Sequence, residues 1–487
     1  MISFCIALVV LVVGFFTYGK FVEKIFGIDP SRKTPAVSNP DGVDYVPLPG
    51  WKIFMIQFLN IAGLGPIFGA IMGAKYGPSS FLWIVFGTIF AGAVHDFMSG
   101  MISLRHNGES LPETVGRYLG ITAKQVMRVF TVILLILLGV VFVAGPADLL
   151  AMRTPERLDS QFWIFVIFAY FILATMFPID KIIGRVYPIF SIALIFMALG
   201  ILVMLLVVFP HIPEVTDGLY NRAANPEVNP IFPMLFISIA CGAISGFHAT
   251  QSPLMARCMT NERQGRYIFY GSMVTEGIVA LIWAAAATYF FSPEGQSFFG
   301  VTDPKINGNS AVIVNSISNG WLGIVGGALA ILGVVVAPIT SGDTAFRSAR
   351  LIIADFMHIS QRTISKRLLI CVPLFIIAIL ILIYSLSDPD GFEKIWRYFA
   401  WSNQTLSVFT LWAITVYLAR KGKPYWITLF PAMFMMVVVL TYILFDQSGI
   451  GLSYRISIII SLIVVAFTTI CFFIKLPKML SERNLKE

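Results

Sequence analysis

Apolar residues along this chain fall in blocks of about twenty, the length a helix needs to cross the hydrocarbon core of a bilayer. Short polar stretches separate the blocks, and no alternation of the kind expected of barrel strands runs through them. Backbone groups in lipid must be satisfied within their own segment, so each block predicts a helix. Thirteen spans result, at 2–19, 53–74, 80–103, 129–150, 161–178, 187–209, 230–251, 267–291, 319–341, 368–386, 398–419, 425–445 and 456–474. The first run, Ile2 to Tyr18, has no cationic stretch before it and no small-residue cleavage signature, and Lys20 and Lys24 come after it. It reads as a retained anchor.

Composition agrees. Hydrophobic residues make up 57% of the 487 and charged ones 12%, about half the charged share of a soluble protein. A net charge of +8 raises the possibility of nucleic acid, but no basic stripe with interleaved aromatics is present, and the cations sit in short loops. Loops after odd-numbered spans, with the C-terminal tail, hold 26 of the 34 Lys and Arg residues, and loops after even-numbered spans hold 8. Positively charged loops stay inside. The expected orientation has the N-terminus outside and the tail from Lys475 to Glu487 in the cytoplasm of a bacterial inner membrane. Cys5, Cys241, Cys258, Cys371 and Cys471 are scattered and read as small core residues, without a disulfide frame or a metal cluster.

Two spans are interrupted at mid-membrane. The second carries Asn60-Ile61-Ala62-Gly63-Leu64-Gly65-Pro66, where proline removes a donor and glycine weakens the helix. Close packing through small residues is the other reading of such a stretch, and it suits Gly69, Ala70 and Gly73. The seventh carries Cys241-Gly242-Ala243-Ile244-Ser245-Gly246-Phe247-His248, then Gln251 and Pro253. The two run in opposite directions, five spans apart. Paired interruptions of this kind mark transporter binding sites, where half-helix N-termini suit an anion and unwound carbonyls a cation. Candidate substrate-binding residues are Asn60, Gly63, Gly65, Ser245, Gly246, His248 and Gln251, with Asn403 and Gln404 from the eleventh span.

An ionisable residue at membrane depth is costly and marks function by default. Glu276 lies near the midplane of span 8, and His95 and Asp96 lie deep in span 3. Asp343 is expected at the cytoplasmic end of span 9 and Asp148 near the outer end of span 4. Each has a second reading: Asp96 and Glu276 as braces for unwound backbone, His248 as a core histidine, Asp148 and Asp343 as wetted helix ends. Arg347 and Arg350 are expected to anchor at the cytoplasmic interface.

The arrangement resembles the LeuT-type five-plus-five inverted repeat. That resemblance implies an all-α transporter with repeats at 51–209 and 210–420, an added helix and loop at 1–50, and a C-terminal pair with tail at 421–487. It also implies a sodium site, for which Thr340 and Ser341 fit in type and spacing, beside Asp343. Gly63-Leu64-Gly65-Pro66-Ile67, His95-Asp96, Gly108-Glu109-Ser110-Leu111, Cys241 to His248 and Ser341-Gly342-Asp343-Thr344-Ala345-Phe346-Arg347 resemble stretches of the CstA carbon-starvation family. Members are placed near the amino acid–polyamine–organocation superfamily. The family implies nutrient uptake across the inner membrane, with peptide transport and proton-coupled pyruvate transport as activities, and a role in the response to carbon starvation.

The reading is therefore a symporter for a small carboxylate such as pyruvate, or for peptides, working in lipid without a cofactor. Its coupling ion is H+ at His95, Asp96 or Glu276, or Na+ at Thr340 and Ser341. No G-x-x-x-x-G-K-[ST] motif is present. A passive channel and a membrane-bound nutrient sensor remain alternatives. An intramembrane enzyme would need a motif such as H-E-x-x-H or G-x-S-x-G, and neither occurs.

Overall fold

The computed structural model describes residues 1–176, 183–223, 225–300, 310–361, 363–387 and 391–484. The end of the predicted fifth span, 177–178, and the last residues of the tail, 485–487, lie outside them. Among the described residues every regular element is a helix. In chain order these are α1 (Ile2–Phe26), α2a (Gly50–Ile61), α2b (Gly65–Tyr76), α3 (Ser79–Arg105), α4 (Ile121–Ala151), α5 (Ser160–Met176) and α6 (Ile183–Val208). Then come α7a (Ile231–Ser238), α7b (His248–Ala256), α8 (Glu262–Phe290), α9 (Ser310–Met357), α10 (Ile364–Ser387), α11 (Gly391–Arg420), α12 (Trp426–Phe445) and α13 (Tyr454–Asn484).

Among the described residues nine helices are long and apolar enough to cross a membrane, and α2a with α2b makes a tenth if the bent pair is one span. Burial separates inner helices from outer ones. In α8 the most apolar stretch is 89% buried within the protein, and in α13 only 22%. Water would leave the exposed isoleucines and phenylalanines of α13 uncovered, whereas lipid covers them. The chain is a multi-pass membrane protein.

Inside, α9 packs along α4 and α6, and α5 and α10 join that group. Helices α2a, α2b, α3, α7b and α8 pack around one another and against α9. This second group contains both broken segments. Helix α2a meets α2b at 52°, with Ala62 to Leu64 outside the helix. Residues 239–247, between α7a and α7b, are not helical. The breaks touch: a Cβ on Gly65 would overlap the Cys241 side chain, and one on Gly69 would come within 2.7 Å of the Ser238 carbonyl oxygen.

Non-helical backbone survives at membrane depth only where something inside the protein bonds it. Here side chains of neighbouring helices do so. Ending α2a at Ile61 strands its last carbonyls, and the Ser341 hydroxyl of α9 lies 2.7 Å from the oxygen of Asn60 and 3.2 Å from that of Leu59. In the α7 break, Trp83 Nε1 donates to Ile239 O at 2.9 Å and Thr88 Oγ1 to Gly242 O at 3.1 Å. Asn403 of α11 accepts from the Phe247 N–H at 2.7 Å and the Ser245 hydroxyl at 3.0 Å, and its own carbonyl takes the Gly246 N–H. Gln404 Nε2 donates to Phe236 O at 2.9 Å. The side-chain carbonyl oxygen of Gln404 has no hydrogen-bond partner.

One expectation about the ninth span is corrected. The helix does not stop at 341 but runs on to Met357. Its irregularity falls earlier, at Gly323, whose φ of +67° suits glycine. Asp343, Arg347 and Arg350 are therefore within the helix and fully buried, not at a wetted helix end. The reason is tertiary: α6 and the segment between α1 and α2a cover this turn. Tyr187 of α6 donates to Asp343 Oδ2 at 2.6 Å. Asp148, by contrast, is exposed, with Ser160 Oγ at 2.5 Å.

Asn403→Ala should remove the acceptor of a buried N–H and a buried hydroxyl. Leaving such groups unsatisfied costs about 1–3 kcal/mol each. A lowered melting temperature of the purified protein in detergent, with a smaller drop for Gln404→Ala, is the expected outcome; an unchanged melting temperature for Asn403→Ala would contradict it.

Candidate functional site

Four ionisable side chains from three helices form one continuous chain beside the α7 break. His95 and Asp96 belong to α3, just after a π-helical turn at Thr88–Gly92 that shifts the register of the rest of the helix. His248 opens α7b, and Glu276 lies within α8. All four are fully buried. Asp96 Oδ1 lies 2.8 Å from His95 Nδ1, and Asp96 Oδ2 lies 2.9 Å from His248 Nδ1. On its far side, His248 Nε2 lies 3.4 Å from Glu276 Oε2.

An ionised Asp96 only accepts, and in that state each imidazole donates to it from Nδ1. The far edge of His248, at Nε2, faces Glu276, and neither Nε2 nor either Glu276 oxygen has a hydrogen-bond partner. Unpartnered acceptors facing one another in a dry interior make this contact a place for a proton.

A small cavity lies one turn along α3 from this chain. One turn beyond Asp96, the Ser99 hydroxyl donates to the Asp96 carbonyl at 3.2 Å. Ser99, Ser103, Thr114 and Thr410 line a cavity of about 10 Å3, the size of one water.

On the other side of the breaks lies a vestibule of about 980 Å3, bounded by the ends of α2b, α7a, α11 and α12. Lys75, Arg222, Arg397, Glu227 and Asp446 supply its charges, and Ile237 and Ser238 at the end of α7a form part of its wall. None of the sequence-predicted substrate residues lines it. Asn60, Gly63, Gly65, Ser245, Gly246, His248, Gln251, Asn403 and Gln404 all lie buried beyond it.

The predicted residues thus separate into groups. His95, Asp96, His248 and Glu276 come together. Ser245, Gly246, Asn403 and Gln404 meet at the α7 break. Ser341 reaches the α2 break, while the Thr340 hydroxyl turns back to Ala337 O of its own helix at 2.8 Å. Asp343 stands apart, held by Tyr187. Gln57, absent from the expectations, lies one turn before Asn60 on the same face of α2a. It is fully buried, and neither its amide nor that of Asn60 has a hydrogen-bond partner. A lone glutamine in an apolar span was the available signal. Among the described residues, no three His, Cys, Asp or Glu side chains are arranged to hold a metal ion.

Comparisons with known proteins agree with this picture. The family described as "Carbon starvation protein CstA" matches residues 1–156, 150–325 and 307–442. An uncharacterised membrane protein of Haemophilus influenzae is 45% identical over 340 residues, 60% of this chain and 91% of that one. The peptide transporter CstA of Escherichia coli is 25% identical over 548 residues, covering 87% of this chain and 78% of its own. The pyruvate/proton symporter BtsT of the same organism is 27% identical over 376 residues, covering 63% of this chain and 52% of its own. Among solved structures, a manganese transporter of Eremococcus coleocola superposes with a TM-score of 0.53 at 13% identity, over 91% of this chain and 99% of that one. That likeness extends to the fold alone. On the family match and the Haemophilus relative together, the chain belongs to the CstA carbon starvation family.

Proposed function

We propose that this protein is a secondary active symporter that brings a small carboxylate such as pyruvate, or a peptide, into the cell by alternating access, driven by protons on the His95–Asp96–His248–Glu276 chain. The observation that carries this reading is the burial of His95, Asp96, His248 and Glu276 against one another at the mouth of the α7 break, with His248 between the two carboxyls. His248 belongs both to the proton chain and to the half-helix that opens there, so protonation and the geometry of the break are linked through one ring. Relatives named as a peptide transporter and a pyruvate/proton symporter support the substrate class and the ion. They also speak for a transporter and not an enzyme.

Thirteen crossings complete the proposal: the nine long helices, the bent α2 pair, the broken α7 pair, α5 and α11. Helices α2 to α6 and α7 to α11 then form two inverted repeats, 51–209 and 210–420, and the packing of α2, α3, α7 and α8 around one another, and of α4, α5, α9 and α10 around one another, supports it. Residues 1–50 and 421–487 are additions. The Lys and Arg distribution puts the vestibule outside and the tail in the cytoplasm. Substrate passes from the vestibule to the breaks, where the unpaired buried amide atoms of Gln57, Asn60 and Gln251 are available to it. Protons leave through the cavity lined by Ser99 and Ser103. Sodium at Thr340 and Ser341 has less behind it, because Ser341 is occupied by helix carbonyls and Thr340 by its own turn.

Reconstituted vesicles test this. An inward proton gradient of one pH unit is worth about 1.4 kcal/mol per proton, about tenfold accumulation for one-to-one coupling. Labelled pyruvate or dipeptide should accumulate under that gradient and not under a sodium gradient alone. Uptake unaffected by collapsing the proton gradient would eliminate symport.

Glu276→Gln should separate coupling from transport. Exchange of internal for external substrate should survive while gradient-driven accumulation drops to simple equilibration. Thr340→Ala should accumulate substrate like the parent. A variant at Glu276 that still concentrates substrate would move the coupling proton elsewhere.

A further inference from the structure

At the end of the transport path opposite the vestibule, the segment linking α1 to α2a, residues 27–49, lies as a strap across the ends of α3, α7b and α9. Its backbone is pinned from several helices. Arg105 Nη2 donates to Gly27 O at 2.6 Å, and the Asp29 N–H donates to the buried Glu262 at 2.6 Å. Tyr45 donates to Asn107 O at 2.8 Å, and the Leu48 N–H to Cys258 O at 3.1 Å. In the middle of the strap, Asp44 points inward, with its side chain 5% exposed.

Asp44 meets two arginines one turn apart on α9. Its Oδ1 lies 3.6 Å from Arg347 Nη1 and 3.5 Å from Arg350 Nη2. Both guanidiniums are fully buried. Arg347 also donates to Ala174 O at 2.9 Å. Arg350 is the informative one: its Nε and Nη1 have no hydrogen-bond partner. A guanidinium does not lose its proton in a protein, so this is a permanent buried cation with two unused donors. Each of them shares a carboxylate-binding edge with Nη2, the atom that faces Asp44 at 3.5 Å, so a carboxylate in the place of Asp44 could be held by two bonds where Asp44 makes one long one. Asp343, about two turns back along α9, is engaged by Tyr187. Burial acts to raise the Asp44 carboxyl, but Arg350 and Arg347 outweigh it and hold the group below its ordinary range. At neutral pH it is an anion.

A carboxylate carried on a loop segment, seated 3.5 Å from an arginine with donors to spare and 3.6 Å from a second, is a substitute ligand. We propose that Arg347 and Arg350 form a carboxylate-binding station at the inner end of the transport path, plugged by Asp44 in this conformation and taken by the transported carboxylate when the strap lifts. The exchange explains how a conformational change can expose a buried arginine pair at modest cost, since one anion replaces another and the cations are never left bare. It gives the strap two tasks, closing the path and releasing the substrate by returning. The identity of the transported anion rests on the symporter reading above; the station itself does not.

The test uses the full chain in detergent, with Cys5, Cys241, Cys371 and Cys471 replaced by serine. Cys258 remains, fully buried beneath the strap, and its rate of modification by a maleimide reports strap opening. Asp44→Ala should speed labelling severalfold. Sodium acetate or pyruvate, filling the vacated carboxylate position, should slow it again toward the parental rate, whereas sodium chloride should not. Adding Arg350→Gln to Asp44→Ala should abolish that rescue. Asp44→Asn, which keeps the volume and loses the charge, should speed labelling without being rescued, and guards against a folding defect in the alanine variant. Labelling unchanged in both Asp44 variants, or an acetate effect that is absent or persists without Arg350, would overturn the station. Rescue by acetate with no uptake of any carboxylate would leave the station standing and remove the substrate reading.

Discussion

Unwound backbone inside a membrane has to be bonded by something other than its own helix, and this structure depends on where those bonds come from. The carbonyls freed by ending α2a at Ile61 are met by Ser341 of α9. The amides freed in the α7 break are met by Asn403 of α11, and its carbonyls by Trp83 and Thr88 of α3. Each brace lies on a different helix from the break it serves. The breaks are therefore joints held by their neighbours, and any shift of α3, α9 or α11 changes which backbone groups are satisfied. A joint of that kind can have two arrangements of similar energy, which is what a carrier with alternating access requires.

The same low-dielectric interior governs the charges. Asp96 lies between two imidazoles, and the Glu276 carboxyl faces the far edge of one of them across 3.4 Å. At the opposite end, Arg347 and Arg350 are tolerated because Asp44 reaches them from the strap. At both places a buried charge is set against another ionisable group.

The fold is shared with a manganese transporter, yet no three metal-ligating side chains converge among the described residues. Fold and cargo are separate properties. At the crossing of its own broken segments this chain has uncharged amides: Gln57 and Asn60 on α2a, Gln251 on α7b.

Much of the architecture was legible from residue order alone. Helices follow from apolar blocks, because lipid leaves the backbone no other partner. The two breaks follow from Gly-Leu-Gly-Pro and from the run between Cys241 and Pro253, because local propensity fails there whatever surrounds it. Intramembrane carboxylates and histidines were visible for the same reason: their cost is incurred locally. What could not be read is which of them meet. His95, Asp96, His248 and Glu276 come from three separate stretches of the chain, and only the packing of α3, α7b and α8 makes them one relay. Asn403 and Gln404 were legible as polar residues deep in α11, but not that their amides bond backbone of the seventh segment. Arg347 and Arg350 looked like surface anchors and are buried by a strap more than 300 residues away in sequence. A side chain's cost of burial is a property of the residue itself, but its partner is set by helices brought together from distant parts of the chain, and that choice belongs to the tertiary structure.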